Sequence, residues 1–403
     1  MTRYQRLKIA AYTIVIVILA AFNIYLLVSR TIPTTIDYSI DIRYNRVRDI
    51  MNHQWAGVEE FPSMLFCLFP LAFFPTIESA KIGWMVANFA FILIILFCLR
   101  KTFLQEISTA DFIIFSLIFN CSVPAATAIM NGQNLLFSFA FFMLSYWLSS
   151  KSADEHYAKN GERHLVDVRG ILCGILLGIS YFKYSSIFFL VPIFIYKRKY
   201  VELISSVLLH VVLNIFAIFW LDTSLLFIIT SPILNSLNTN VGEGFIDLMT
   251  IMSTKAAFLK DYASTVYLIV LLLVFGVMLY IAVRRTCEDE LLVFSLYCAM
   301  STVLIYHRQY DLFLLIIPMH YLISEFRKYS DSGSRKPANI IEMSIMLVSL
   351  VGVVTVLLGN WFFKYLGISI EYGIGFTLFY SCSVIGIYLL CMYLLIKALV
   401  AKA

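Results

Sequence analysis

Runs of about 20 apolar residues, repeated along almost the whole chain, restrict this sequence more than any other feature. They fall at roughly 9–28, 82–99, 111–129, 134–149, 170–182, 185–196, 201–220, 262–283, 290–306, 312–325, 339–359 and 373–396. No water reaches the backbone in hydrocarbon, so such a run survives there only as a helix that satisfies its own amides and carbonyls. A water-soluble chain of 403 residues could not hide a composition that is 61% hydrophobic and 14% charged. The fold class that follows is an all-α polytopic membrane protein. It is expected to be one integral-membrane domain over 1–403, with about 12 transmembrane helices.

The first run, 9–28, is long for a signal-peptide core and no small-residue cleavage pattern follows it, so it is read as a helix of the mature protein. Seven of the eight cysteines lie in apolar runs and read as small buried hydrophobes. They show neither a metal-binding spacing nor a disulfide framework. The net charge of +5 carries no argument for a nucleic-acid partner, because what matters here is where the charges lie.

One run is ambiguous. Pro62 to Pro75 holds about 14 mostly apolar residues interrupted by Pro70, which suits an interfacial or re-entrant helix better than a crossing. Charge asymmetry decides the point. If 62–75 does not cross, the segments on the side of the N-terminus hold 20 of the 30 Lys and Arg; if it crosses, every later loop flips and that side keeps nine. Positive charge favours the cytoplasmic side. Both termini and the 150–169 linker are then expected in the cytoplasm, and the 30–81 loop outside.

Polar residues then gather on the outer face. The stretch 31–62 carries Asp37, Asp41, Asp49, Glu59 and Glu60 beside Arg43, Arg46 and Arg48. Asp37 and Asp41 share a face if they lie on a helical turn, and either carboxylate can act as a general base; a solvated loop acid is the plainer reading. Asn131-Gly132-Gln133-Asn134 joins two apolar runs. Glycine explains the turn, but two amides entering a membrane helix need partners such as sugar hydroxyls. Lys183 interrupts an apolar stretch, so it either snorkels to the interface or meets an anion such as a lipid phosphate. Tyr306-His307-Arg308-Gln309-Tyr310-Asp311 sets a His-Arg pair at headgroup level, a natural phosphate clamp if it is more than loop polarity. The 222–261 loop alternates apolar stretches with Asn and Gly and could lie over a cavity as a lid. Gly-rich nucleotide loops, His-Glu-x-x-His and a serine elbow do not occur.

In order along the chain stand Asp41-Ile42-Arg43-Tyr44, Phe61-Pro62 with Pro70-Leu71-Ala72-Phe73-Phe74-Pro75, Gly132-Gln133-Asn134, Gly174 through Gly178 to Lys183, and Tyr306 to Asp311. This order, over about residues 8 to 325, resembles glycosyltransferase family 87, the polyprenyl-phosphate-mannose-dependent membrane mannosyltransferases of the GT-C fold. Two departures stand out: Tyr44 follows Asp41 by three residues where the family usually has four, and Pro62-Ser63 replaces Pro-Pro.

The resemblance implies an inverting hexosyltransferase that uses a polyprenyl-phosphate sugar, with mannose first in line, and a lipid or glycan acceptor at the extracytoplasmic face. Asp41 or Asp37 would be the base. Lys183, His307 and Arg308 would hold the donor phosphate, and Tyr44, Asn131, Gln133, Asn134, Tyr306, Tyr310 and Asp311 would contact sugar or acceptor. No cofactor or metal is implied, though a divalent cation at the acidic loop is compatible. Family habit points to a bacterial inner membrane. Two other classes fit the topology: a polymerase or ligase of lipid-linked glycans, and a transporter, which would place its polar residues near the midplane.

Overall fold

The computed structural model describes residues 10, 13–14, 16–18, 21, 39–55, 60–105, 107–130, 132–159, 168–237, 246–254, 262–305, 309–332, 337–365 and 374–401. Every regular element among them is helical. Six helical stretches are long and apolar enough to cross a membrane: Ile77–Thr102, Val168–Leu190, Tyr200–Trp220, Ala263–Arg284, Ile340–Leu357 and Ser381–Val400. Their outward faces are greasy, with Val86, Leu93, Val212 and Leu273 all exposed. Such surfaces are stable against lipid rather than water, and the protein is an integral membrane protein.

The expected twelve crossings are not met one for one. The first run lies mostly outside the described residues. Thr109–Cys121, Leu135–Ser150 and Glu290–Leu304 are apolar but shorter. The 111–129 run breaks in two, Thr109–Cys121 and Val123–Met130, where Pro124 follows Ser122. The 62–75 run folds as a short helix, Pro62–Cys67, and a 3-10 turn, Phe69–Phe73. Neither piece is long enough to cross, as the charge count required.

Between 168 and 199 the chain rises and returns. Ser145 Oγ donates to the Cys173 carbonyl (2.7 Å), the Lys183 amide donates to Ser138 Oγ (3.0 Å), and Lys199 Nζ donates to the Ser149 carbonyl (2.7 Å). Measured against Leu135–Lys159, the chain therefore climbs from the level of residue 145 to that of 138, then descends to that of 149. The turning point is the 3-10 segment Tyr181–Lys183, so Val168–Leu190 qualifies as a crossing by length and composition alone and is not one straight helix.

Hydrogen bonds sort the loops into two ends. At one end Tyr196 donates to the Cys287 carbonyl (3.0 Å), Lys197 pairs with Glu290, Arg327 reaches Asp111 (3.2 Å) and Thr286 donates to the Ala398 carbonyl (2.9 Å). These are the segments rich in Lys and Arg. At the other end Trp220 Nε1 donates to the Ile50 carbonyl (2.8 Å), the Ser63 amide donates to Asn214 Oδ1 (3.2 Å) and Tyr267 donates to the Leu304 carbonyl (2.8 Å).

Small residues let two of the helices touch backbone to backbone. A Cβ on Gly174 would lie 2.6 Å from the Glu202 carbonyl oxygen, and one on Gly178 would lie 3.1 Å from that of Ser206. Such contact is the main source of attraction between helices already in lipid. Gly174→Val should therefore cost about 1–3 kcal/mol through overpacking and lower the detergent melting temperature. Gly276→Ala, whose Cβ would meet nothing within 4 Å, should leave it unchanged.

Candidate active site

The site end is built on the helix Ser39–Met51. Ile40, Tyr44, Val47 and Ile50 recur at helical spacing and are buried, while Asn45, Arg48 and Asp49 face out. This pattern lays the helix flat against the bundle. Its seat is polar as well as apolar: the Tyr44 hydroxyl donates to the Phe74 carbonyl (2.9 Å) and accepts from Arg48 (2.9 Å). Arg46 pairs with Glu60. At the far end of the helix the His53 ring stacks on Trp220 at 4.0 Å.

Asp41 stands in the first turn, where the helix dipole favours a negative charge. Its carboxylate lies 2.9 Å from Lys81 Nζ, and a third of the side chain stays open (33%). Lys81 comes from the start of Ile77–Thr102, a helix whose first turn is fixed by reciprocal bonds between Thr76 and Ser79.

The 132–134 turn packs directly on this helix. Gly132 has φ +59°, and a Cβ there would collide with the Ile40 side chain, so both the backbone and the contact require glycine. Gln133 and Asn134 are buried behind it. With its amide oxygen turned to the guanidinium, Asn134 accepts from Arg43 Nε and, at 3.3 Å, from Nη2. The Arg43 guanidinium also lies 5.9 Å from the centre of the Phe182 ring. The next residue, Lys183, reaches Asp311 Oδ1 at 3.5 Å, and Asp311 is buried at 2% exposure.

Asp41–Lys81, Arg43–Asn134 and Lys183–Asp311 thus form one chain of neighbours drawn from five separate parts of the sequence. These pairs place three cations and two carboxylates at one end of the bundle, and cations of this kind can hold an anionic group. Burial pushes the thiol of Cys67, the last residue of Pro62–Cys67, up to about 12. Among the described residues no group of three His, Cys, Asp or Glu gathers as a metal site.

Of the residues singled out in the sequence, the structure brings together Asp41, Gln133, Asn134, Lys183 and Asp311. Tyr44 is buried with its hydroxyl engaged on Phe74 and Arg48. Asp37, Asn131, Tyr306, His307 and Arg308 lie outside the described residues, as does the side chain of Tyr310.

Sequence reasoning missed Lys81 and, on the same helix face, Trp84 and Asn88. Trp84 Nε1 and both amide atoms of the fully buried Asn88 have no partner among the described residues. Each such group costs about 1–3 kcal/mol when left unpaired. Lys, Trp and Asn at i, i+3 and i+7 on an otherwise apolar helix were the available signal.

The sequence profile of Glycosyltransferase family 87 matches residues 62–306. Neither a curated protein nor a solved structure matches the chain.

The Lys183–Asp311 contact has a thermodynamic signature. In a double-mutant cycle of Lys183→Met and Asp311→Asn, followed by thermal melts in detergent, the two changes should couple by about 0.5–3 kcal/mol. Strict additivity would show that the 3.5 Å pair contributes nothing to stability.

Proposed function

This chain belongs to glycosyltransferase family 87, and on that premise we propose that it transfers one hexose, mannose in the first instance, from a polyprenyl-phosphate sugar to a lipid or glycan acceptor. The observation that carries the proposal is the pairing of a partly open carboxylate, Asp41, with Lys81, at the end of the bundle that also holds the Arg43–Asn134 and Lys183–Asp311 pairs. We place that end on the extracytoplasmic face of a bacterial inner membrane, in a GT-C-type bundle. The Lys- and Arg-rich end, with both termini, is then cytoplasmic.

The reaction is a single displacement with inversion. The acceptor oxygen forms a bond to C1 as the bond from C1 to the phosphate oxygen breaks. The acceptor proton goes to Asp41, and the electron pair of the broken bond leaves with the polyprenyl phosphate. General-base assistance of this kind is worth about 10²–10⁴ in rate. The lipid phosphate is a good leaving group, so the protein has mainly to hold its charge. Lys183 does so in this proposal, with His307 and Arg308.

Gln133, Asn134, Asn131, Tyr306, Tyr310 and Asp311 orient sugar and acceptor. Asn134 also acts through Arg43, and Tyr44 seats the Asp41 helix. The helix Leu225–Leu237, whose Phe227 meets Trp55 edge-on at 5.5 Å, is part of the proposed lid. The scheme uses no resident cofactor, and a divalent cation at the acidic loop is compatible with it.

The test is transfer from radiolabelled polyprenyl-phosphate mannose in membranes holding wild type, Asp41→Asn or Asp37→Asn. Asp41→Asn should lower transfer by about 10²–10⁴ with donor binding kept. Loss in Asp37→Asn alone would move the base to Asp37 and keep the reaction class. Donor uptake across the membrane without transfer would replace this reading by a transporter; transfer of whole oligosaccharides would replace it by a polymerase or ligase.

A further inference from the structure

The carboxylate that removes the acceptor proton starts out with an ammonium against it. Lys81 Nζ lies 2.9 Å from Asp41 Oδ1, and that oxygen is buried. While the ammonium stays, Oδ1 is closed to an acceptor hydroxyl. The contact is close but poorly aligned, since Oδ1 accepts no hydrogen bond among the described residues.

How readily a cation changes partner depends on what its departure leaves behind. Lys183 faces Asp311, whose side chain is 2% exposed. Drawing that ammonium away would take a cation from a carboxylate in a dry setting, where its loss is costly. Lys183 therefore meets any further anion while keeping Asp311. The Asp41–Lys81 pair is different. A third of the Asp41 side chain (33%) and a quarter of Lys81 (24%) are open, so water or a hydroxyl can take the place of the ammonium. A lysine also has the reach for such a move, with three donors on a flexible four-carbon stem. Of the two lysines, Lys81 is the one that can change partner at low cost. Its position also suits an incoming anion. Asp41 stands in the first turn of Ser39–Met51 and Lys81 in the second turn of Ile77–Thr102, so two helix starts converge on the pair. Both dipoles favour negative charge at that point.

We propose that Lys81 exchanges partners in the course of the reaction. It pairs with Asp41 before a donor enters, then turns to the phosphate of the polyprenyl-phosphate sugar and leaves Asp41 to the acceptor hydroxyl. This inference rests on the sugar-transfer reading and gives Lys81 a part in it. The exchange itself makes and breaks no covalent bond. In the displacement that follows, the acceptor proton goes to Asp41, and the electron pair of the broken bond goes to a phosphate oxygen whose charge Lys81 meets. Asp41 and the donor phosphate thus compete for one ammonium. The base is uncovered only when the leaving group is in place, so donor binding precedes acceptor activation.

Competition has a sign that a purely structural pair does not share. Equilibrium binding of radiolabelled polyprenyl monophosphate to the full chain in detergent reads it, with polyprenol, which lacks the phosphate, as reference. Asp41→Asn should not only keep its hold on the phosphate lipid but bind it about tenfold tighter than wild type. Lys81→Met should bind it about tenfold weaker, and Lys81→Arg should recover most of that loss. Added to Lys81→Met, Asp41→Asn should change nothing further. Polyprenol should bind all four alike. Asp41→Asn alters charge with little change of shape, so the decisive variant keeps the fold, which an unchanged melting temperature would verify. Equal or weaker binding by Asp41→Asn would overturn the exchange and leave sugar transfer standing. Equal tightening with and without Lys81 would overturn it as well, because lost repulsion between Asp41 and the phosphate would then be the cause. Tightening by Asp311→Asn in place of Asp41→Asn would overturn it by giving the role to Lys183. A wild type that binds the lipid yet transfers no sugar would instead sink the reading on which the exchange rests, and it would do so in a separate assay.

Discussion

Inside a bundle that turns its apolar faces outward, a polar side chain has to find its partner on another helix. Water supplies none at that depth, and an unpaired group is costly. Pairs of this kind occur at both ends, while Trp84 and Asn88 stand out as groups without a partner among the described residues. Asp41 meets Lys81, Arg43 meets Asn134 and Lys183 meets Asp311 at one end; Tyr146 and Lys197 share Glu290 at the other. Partly buried pairs of this kind add little net stability, since desolvation offsets much of the Coulomb attraction. Their effect is geometric. Each is a fixed distance between elements far apart in the chain, and together they set where the Ser39–Met51 helix lies on the bundle.

The long apolar helices were legible because length and hydrophobicity are enough to specify a crossing. The run read at 201–220 is the helix Tyr200–Trp220, and the run at 262–283 is Ala263–Arg284. The reversal at Lys183 was legible too, since one lysine in an apolar stretch has few places to go. The break in the 111–129 run was not read, because the apolar pattern runs straight through it; Pro124 lies in the first turn of the second piece, Val123–Met130.

The site was legible in pieces and not as a whole. Asp41, the Gln133-Asn134 amides and Lys183 each announced themselves as polar residues in the wrong company. Their partners did not, because pairing is decided by helix packing. Lys81 reads as an ordinary residue at the start of a helix until Asp41 is placed beside it. Tyr44 shows the converse. Its position after Asp41 pointed to substrate, yet its hydroxyl reaches the Phe74 carbonyl, a neighbour that only the fold of the 62–75 segment creates.

The helix Tyr200–Trp220 packs on Val168–Ser180 along one side and turns much of the rest of its surface outward, and its last residue holds the far end of the Ser39–Met51 helix through the Trp220–Ile50 bond and the His53 stack. At 1.5 Å per residue its 21 residues span about 31 Å, close to the hydrocarbon thickness of a typical bilayer. A helix matched in this way answers a thinner or thicker membrane by changing its tilt. Because Trp220 is tied to the Ser39–Met51 helix, any such tilt is passed to the base on which Asp41 stands. The placement of Tyr200–Trp220 in the membrane and that of the Asp41 helix are thus tied together at a point well away from the carboxylate itself.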